Sequence, residues 1–123
     1  MMKPVFLTLI ATFLTFTSPQ TADARDYFGA IAVAPNGAYG ISWDYSTRGA
    51  ATNRAMNECR NRARGCRSAL WFRNACGALA MNDYNDWATA WGSNRGVAQN
   101  IALRNCNNRF GGCYIKRWAC TSR

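Results

Sequence analysis

The sequence predicts an α+β domain in which one strand–strand–helix–strand unit is duplicated internally. The product would be a mostly antiparallel sheet with two helices, stapled by disulfides. Three observations carry this expectation. One segment recurs at nearly constant spacing, short apolar runs alternate small with large residues, and six cysteines occur in a chain without histidine.

The recurrence is the strongest of the three. "RGAATNRAMNEC" (residues 48–59) lies over "RGVAQNIALRNC" (residues 95–106) at a constant offset of 47. Arg48/Arg95, Gly49/Gly96, Ala51/Ala98, Ala55/Ala102 and Cys59/Cys106 coincide. The offset carries on through Arg62/Arg109, Gly65/Gly112, Cys66/Cys113 and Trp71/Trp118. Upstream it becomes 48, where "GAIAV" matches "GALAM", Tyr39 matches Trp87 and Trp43 matches Trp91. Two copies of one unit whose offset changes by a single residue, in a loop, mark a structural repeat. The first covers about residues 27–76 and the second about residues 77–121.

Each element follows from its local pattern. "AIAVA" and "ALAM" alternate with the period of a strand. "PNG" (35–37) is a turn signal, and "NDYND" (82–86) takes its place in the second copy. In the next strands Tyr39, Ile41 and Trp43 share one face, as do Trp87, Thr89 and Trp91. The opposite faces carry only Gly40 and Ser42, or Ala88 and Ala90. Ser46 or Thr47, and Ser93 or Asn94, supply helix N-caps. Ala51, Ala55, Met56 and Cys59 then fall on one helical face, and Ala98, Ala102, Leu103 and Cys106 on another. "RSALWF" and "YIKRWAC" close the two units. The first runs through "RNACGALA" into the second copy, so a single mostly antiparallel sheet with approximate two-fold symmetry is expected.

The repeat also sorts the cysteines. Cys59 and Cys66 stand at a helix end and the next strand, and Cys106 and Cys113 stand identically. Local bridges Cys59–Cys66 and Cys106–Cys113 leave Cys76 for Cys120, one of the fifteen pairings that six cysteines allow. A zinc site would need closer pairs, such as C-x-x-C, and usually histidine. No metal and no cofactor are expected.

The N-terminus reads as an export signal over residues 1–24. Lys3 precedes the apolar run "VFLTLIATFLTF", and Ala22 and Ala24 give an A-x-A cleavage pattern. That leaves residues 25–123 as a single exported domain. The run is shorter than the ~20 residues of a membrane span, so no span is expected after cleavage. Leader and cysteines together point to an oxidising compartment, periplasmic or extracellular.

Net charge is +9, and of fifteen basic residues only Lys3 and Lys116 are lysine. Arginine's planar fork suits carboxylates, phosphates and sulfates, and it stacks on aromatic rings. An acidic protein or an anionic envelope polymer is the expected partner. Export argues against nucleic acid in vivo, although the charge would hold it weakly in vitro.

Catalytic chemistry is poorly supplied. Without histidine the usual base for a Ser or Cys nucleophile is missing, and bridged cysteines leave no thiolate. Asp83 and Asp86 could be imagined as a glycosidase-like pair, but two acids in a loop are more often turn residues. A non-catalytic binding role is therefore expected, of the kind an inhibitor or immunity protein plays toward a secreted hydrolase. The alternative is a small secreted effector or toxin, hydrolytic through those two acids.

"YFGAIAVAPNGAYGISWDYSTRGAA", "LWFRNACGALAMND" and the paired C-x6-C motifs resemble the domain of unknown function 4189 family. The resemblance spans Tyr27 to about Thr121. It implies a small exported bacterial α+β domain and brings no catalytic residue with it. The loop after Met81, "NDYNDWATAWG", is polar and acidic where relatives are often richer in glycine.

Candidate binding residues come from two places. Tyr39, Trp43, Trp87 and Trp91 recur beside arginines; exposed, they would form a stacking platform for sugars or bases, and buried, they would be core. Their recurrence in both copies favours the core. The loop "CRNRARGC" (59–66) and its counterpart "CNNRFGGC" (106–113) share length, one arginine and one glycine. Gly65 and Arg62 thus belong to the scaffold, whereas Arg60, Arg64 and Arg67 are charges that the first copy alone carries.

Overall fold

The computed structural model describes residues 2–5, 8, 10–15 and 25–123. The expected cleavage pattern at Ala22 and Ala24 lies outside the described residues. Among these, no helix is long and apolar enough to cross a membrane. Element order is β1 (Phe28–Val33), β2 (Tyr39–Tyr45), α1 (Arg48–Arg60), β3 (Arg67–Arg73), β4 (Cys76–Met81), β5 (Trp87–Gly92), α2 (Arg95–Arg109) and β6 (Tyr114–Cys120). The α+β class and the duplicated strand–strand–helix–strand unit are both present.

The strands form two antiparallel three-stranded sheets, β2-β1-β3 and β5-β4-β6, where one sheet was expected. The reason lies in the small–large alternation. Ala30, Ala32 and Ala34 pack against Ala51, Ala55 and Cys59 of α1. Ala78, Ala80, Ala88 and Ala90 pack likewise against Ala98, Ala102 and Cys106 of α2. The large residues of the same strands, Ile31, Val33, Ile41, Leu79 and Met81, point away from both helices and meet one another. A single six-stranded sheet with its helices on one face would leave that large-residue face in water. Stacking the two units face to face buries it, giving layers in the order helix, sheet, sheet, helix.

Small residues serve the outer layers for a physical reason. Alanine on both the helix and the strand lets the backbones approach closely. Ser42 exploits this, donating from its buried hydroxyl to the Ala51 carbonyl at 2.6 Å. Thr47 and Asn94 are the N-caps, accepting from Ala50 N at 3.1 Å and Val97 N at 3.0 Å. Each of these bonds satisfies a helix-end donor that would otherwise lack an intrahelical partner.

The inter-sheet core departs from two-fold symmetry at one place. Phe72 is 2% exposed, and its repeat counterpart is Ala119. The ring lies over Gly29 of one sheet and Gly77 of the other, positions where a Cβ would collide with it. Those two glycines are themselves repeat mates, so one phenylalanine fills the space above both.

The disulfides are Cys59–Cys66, Cys106–Cys113 and Cys76–Cys120, the pairing the repeat favours, and no cysteine is free. Cys76 and Cys120 face each other in the β4–β6 ladder. In the two local loops Gly65 and Gly112 hold φ of +77° and +67°, the left-handed region glycine enters without a Cβ penalty. The shared spacing is therefore scaffold.

Candidate binding surface

Arginine–aromatic pairs mark the surface. Arg48 and Arg95 open the two helices, and their Cζ atoms lie 4.5 and 4.0 Å from the ring centroids of Trp71 and Trp118. Both partners of each pair recur in the repeat, so this stack belongs to the unit itself. Stacks of this kind contribute about 0.5–1 kcal/mol when exposed. The pairs were legible as repeat identities but not as contacts, because helix start and closing strand meet only in three dimensions.

Arg62 confirms its scaffold place. Its guanidinium donates to the Tyr39 carbonyl at 3.0 Å, lies 5.7 Å from the Tyr39 ring and pairs with Glu58 at 3.5 Å. Arg60, Arg64 and Arg67 are exposed. Of the three, Arg67 reaches an aromatic, its Cζ 5.9 Å from the Trp87 centroid.

The four repeat-related aromatics do not form one platform. Tyr39 and Trp87, at the strand starts, are half-buried against the inter-sheet core. Trp43 and Trp91, farther along, are exposed at 43% and 60%. They lie at opposite edges of the sandwich, since β2 stacks near β6 and β5 near β3. The core reading thus fits two of the four.

Two recesses flank the β3–β5 edge. One, of about 630 Å³, gathers Arg67, Asp86, Trp87, Asn108 and Arg109. The other, of about 500 Å³, is more apolar and lies between Trp91 and the β3 segment Leu70 to Arg73. Arg67 and Trp87 are the predicted residues brought together at the first, and Trp91 is the one placed at the second.

The acids are mostly engaged within the chain. Asp26 pairs with Arg73 at 2.8 Å and accepts from Asn74 at 3.0 Å. Asp44 accepts from the backbone N–H of Ser122 at 2.7 Å and from its hydroxyl. Asp86 accepts from Asn82 Nδ2 at 3.1 Å. Asn82, 4% exposed, also accepts from the backbone N–H groups of Tyr84 and Asp86 at 3.0 Å and donates to the Gly111 carbonyl at 3.1 Å. This buried asparagine organises the acidic turn, and sequence reading missed it; an asparagine opening a turn is the signal that could have found it. Among the described residues the ion pairs are Arg62–Glu58 and Arg73–Asp26, and basic residues outnumber acidic ones by nine in the whole sequence. No group of three His, Cys, Asp or Glu side chains among them is placed to hold a metal.

The family described as domain of unknown function (DUF4189) matches residues 28–120, which takes in every strand and both helices. The chain is a member of the DUF4189 family. This DUF4189 domain is 47% identical over 62 residues to "Protein Rv1269c" of Mycobacterium tuberculosis strain H37Rv. The same identity holds for "Protein Mb1300c" of Mycobacterium bovis. Each match covers 50% of this chain and 48% of the relative, so the matched segment spans about half the length of either protein. Among solved structures, the NMR structure of Rv1813c from Mycobacterium tuberculosis is similar, with a TM-score of 0.57 at 29% identity. That likeness covers 95% of this chain and 99% of the other.

Proposed function

We propose that this DUF4189 domain is an exported, periplasmic or extracellular binding domain without catalytic activity, directed at an acidic protein or an anionic envelope polymer. The observation that carries the reading is the imbalance of charge. Asp26, Asp44, Glu58 and Asp86 are occupied within the chain, while Arg60 and Arg64 stand exposed inside the loop closed by Cys59–Cys66 and Arg67 stands exposed at the start of β3 just beyond it. An unneutralised guanidinium cluster on a rigid support favours anion recognition. Three disulfides and no free thiol support an oxidising compartment. An inhibitor-like role toward a secreted hydrolase fits the same features.

Replacing Arg60, Arg64 and Arg67 together with serine should lower the thermal midpoint only slightly, because all three are exposed and the Arg67 stack on Trp87 is worth at most about 1 kcal/mol. Binding to polyglutamate or to anionic cell-wall polymer should weaken by about tenfold at low salt, equivalent to about 1.4 kcal/mol. Wild-type binding should fade as salt screens the charges. Equal binding by variant and wild type at every salt concentration would refute the loop's role.

The effector reading has one observation in its favour, the cleft of about 630 Å³ that holds Asp86 beside Trp87. Asn82 already occupies the Asp86 carboxylate, which supports a turn role instead. On cell-wall and nucleic-acid substrates, wild type and Asp83→Asn/Asp86→Asn should be equally inert. A turnover that the double variant loses would make the domain an enzyme.

A further inference from the structure

We propose that the free edge of β5 docks an extended acidic peptide, which joins β4 and β5 as an added strand. The proposal rests on the reading of the domain as a binder of acidic partners and narrows the partner to polypeptide. It begins from how the edges are built. Exposed strand edges invite pairing with other chains, and proteins guard them with charges, prolines or register irregularities. Of the four edge strands among the described residues, three are guarded. β2 carries Asp44 and a register shift against β1. β3 begins and ends in arginine and is shifted as well. β6 contains Lys116 and Arg117, again with a shift. β5, "WATAWG", has no charge and no proline, and it pairs with β4 in unbroken register.

The surroundings of β5 match such a ligand. A recess of about 580 Å³ runs beside it, walled by Val97 and Ile101 of α2, with Leu70 of β3 and Trp91 across from them. It shares Leu70 and Trp91 with the apolar recess, and Thr89 and Asn105 with the arginine cleft, so the three recesses adjoin one another along the strand and together make up the proposed groove. Six residues of strand span about 20 Å. An added strand would turn alternate side chains toward the α2 wall and the β3 wall, while its backbone met the open N–H and C=O groups of β5. Backbone pairing of this kind selects polypeptide over polysaccharide.

The duplicated scaffold does not produce this groove by default. In the first copy Arg54 and Glu58 hold the places of Ile101 and Asn105, and the recess beside Trp43 is only about 200 Å³. The charge at the groove selects the ligand. Arg67 and Arg109 stand at one end, with Asp86 among them, and Arg48 stacks on Trp71 at the other. A second copy of the chain would bring two +9 molecules together, whereas an acidic segment is complementary.

The test uses the oxidised protein and synthetic peptides of about seven residues, a length matched to β5, alternating glutamate with valine, leucine or tryptophan. The alternate amides of residues 87–92 that point away from β4 should gain hydrogen-exchange protection on binding. Peptides N-methylated at alternate residues, and the surface variant Trp91→Lys, should each bind about tenfold more weakly, Trp91→Lys without a change in thermal midpoint. Binding that leaves these amides unprotected and depends on Arg60 and Arg64, which lie outside the groove, would overturn the edge site while sparing the anion-binding reading, as would binding of polyglutamate alone. Binding of neither probe at low salt would overturn both. Protection of β5 that rises with protein concentration in the absence of peptide would assign the edge to a second copy and overturn the acidic-peptide occupant.

Discussion

Phe72→Ala is expected to destabilise the domain by about 3–5 kcal/mol, the range for a buried aromatic truncated in a core that cannot collapse. The size of the effect comes from what surrounds the ring. Below and above it lie Gly29 and Gly77, which have no side chains to move into the vacated space. The symmetry-related position offers Ala119, also too small to help. The cavity would therefore persist between the sheets. Denaturant unfolding with the disulfides intact measures the loss, and a cost below about 1 kcal/mol would mean that the two sheets close over the gap. Circular dichroism should meanwhile show the strands of each sheet retained, because neither β-ladder depends on the ring.

The second large effect concerns the disulfides, which are unequal. Cys59–Cys66 and Cys106–Cys113 each span 7 residues, whereas Cys76–Cys120 spans 44. In the chain-entropy account the long loop contributes about 4 kcal/mol and each short one about 2–3 kcal/mol. Cys76→Ser/Cys120→Ser should accordingly lower the thermal midpoint more than either local double variant. The native geometry would survive the loss. Cys76 and Cys120 are register partners, and the ladder is extended by Thr121 N donating to the Ala75 carbonyl at 2.9 Å and Ala75 N donating to Thr121 Oγ1 at 2.8 Å. The bridge thus acts on the unfolded ensemble, and the comparison of the three double variants checks that directly. A larger effect for Cys59→Ser/Cys66→Ser would mean instead that the local bridge holds the native helix exit in place.

Local features of the fold were legible because they depend on neighbours in sequence. Helix caps at Thr47 and Asn94, the alanine faces of the helices and the two 7-residue loops all follow from spacing. The division into two sheets was not, since alternation tells which residues share a face but not what that face meets. Ile31 and Leu79 look equally suited to one wide sheet or two stacked ones until the bare large-residue face is considered. The candidate surface was legible to a similar depth. Arg67 and Trp87 could each be singled out, but their meeting at 5.9 Å depends on β3 stacking near β5. Trp43 and Trp91 share a face with Tyr39 and Trp87 in sequence, yet only their distance along the strand decides that they emerge from the core. Asn82 was overlooked because its partners include Gly111, far along the chain.

The unevenness between Phe72 and Ala119 has a consequence for how the halves recognise each other. Each half presents an apolar sheet face that has no lid of its own, so each behaves as one partner of an obligate interface. Two first halves would bring two rings into room for one, and two second halves would leave that room empty. Only the unlike combination fits. The covalent join at Asn74 and Ala75 keeps unlike partners at high effective concentration, and the single ring ensures that no other pairing competes.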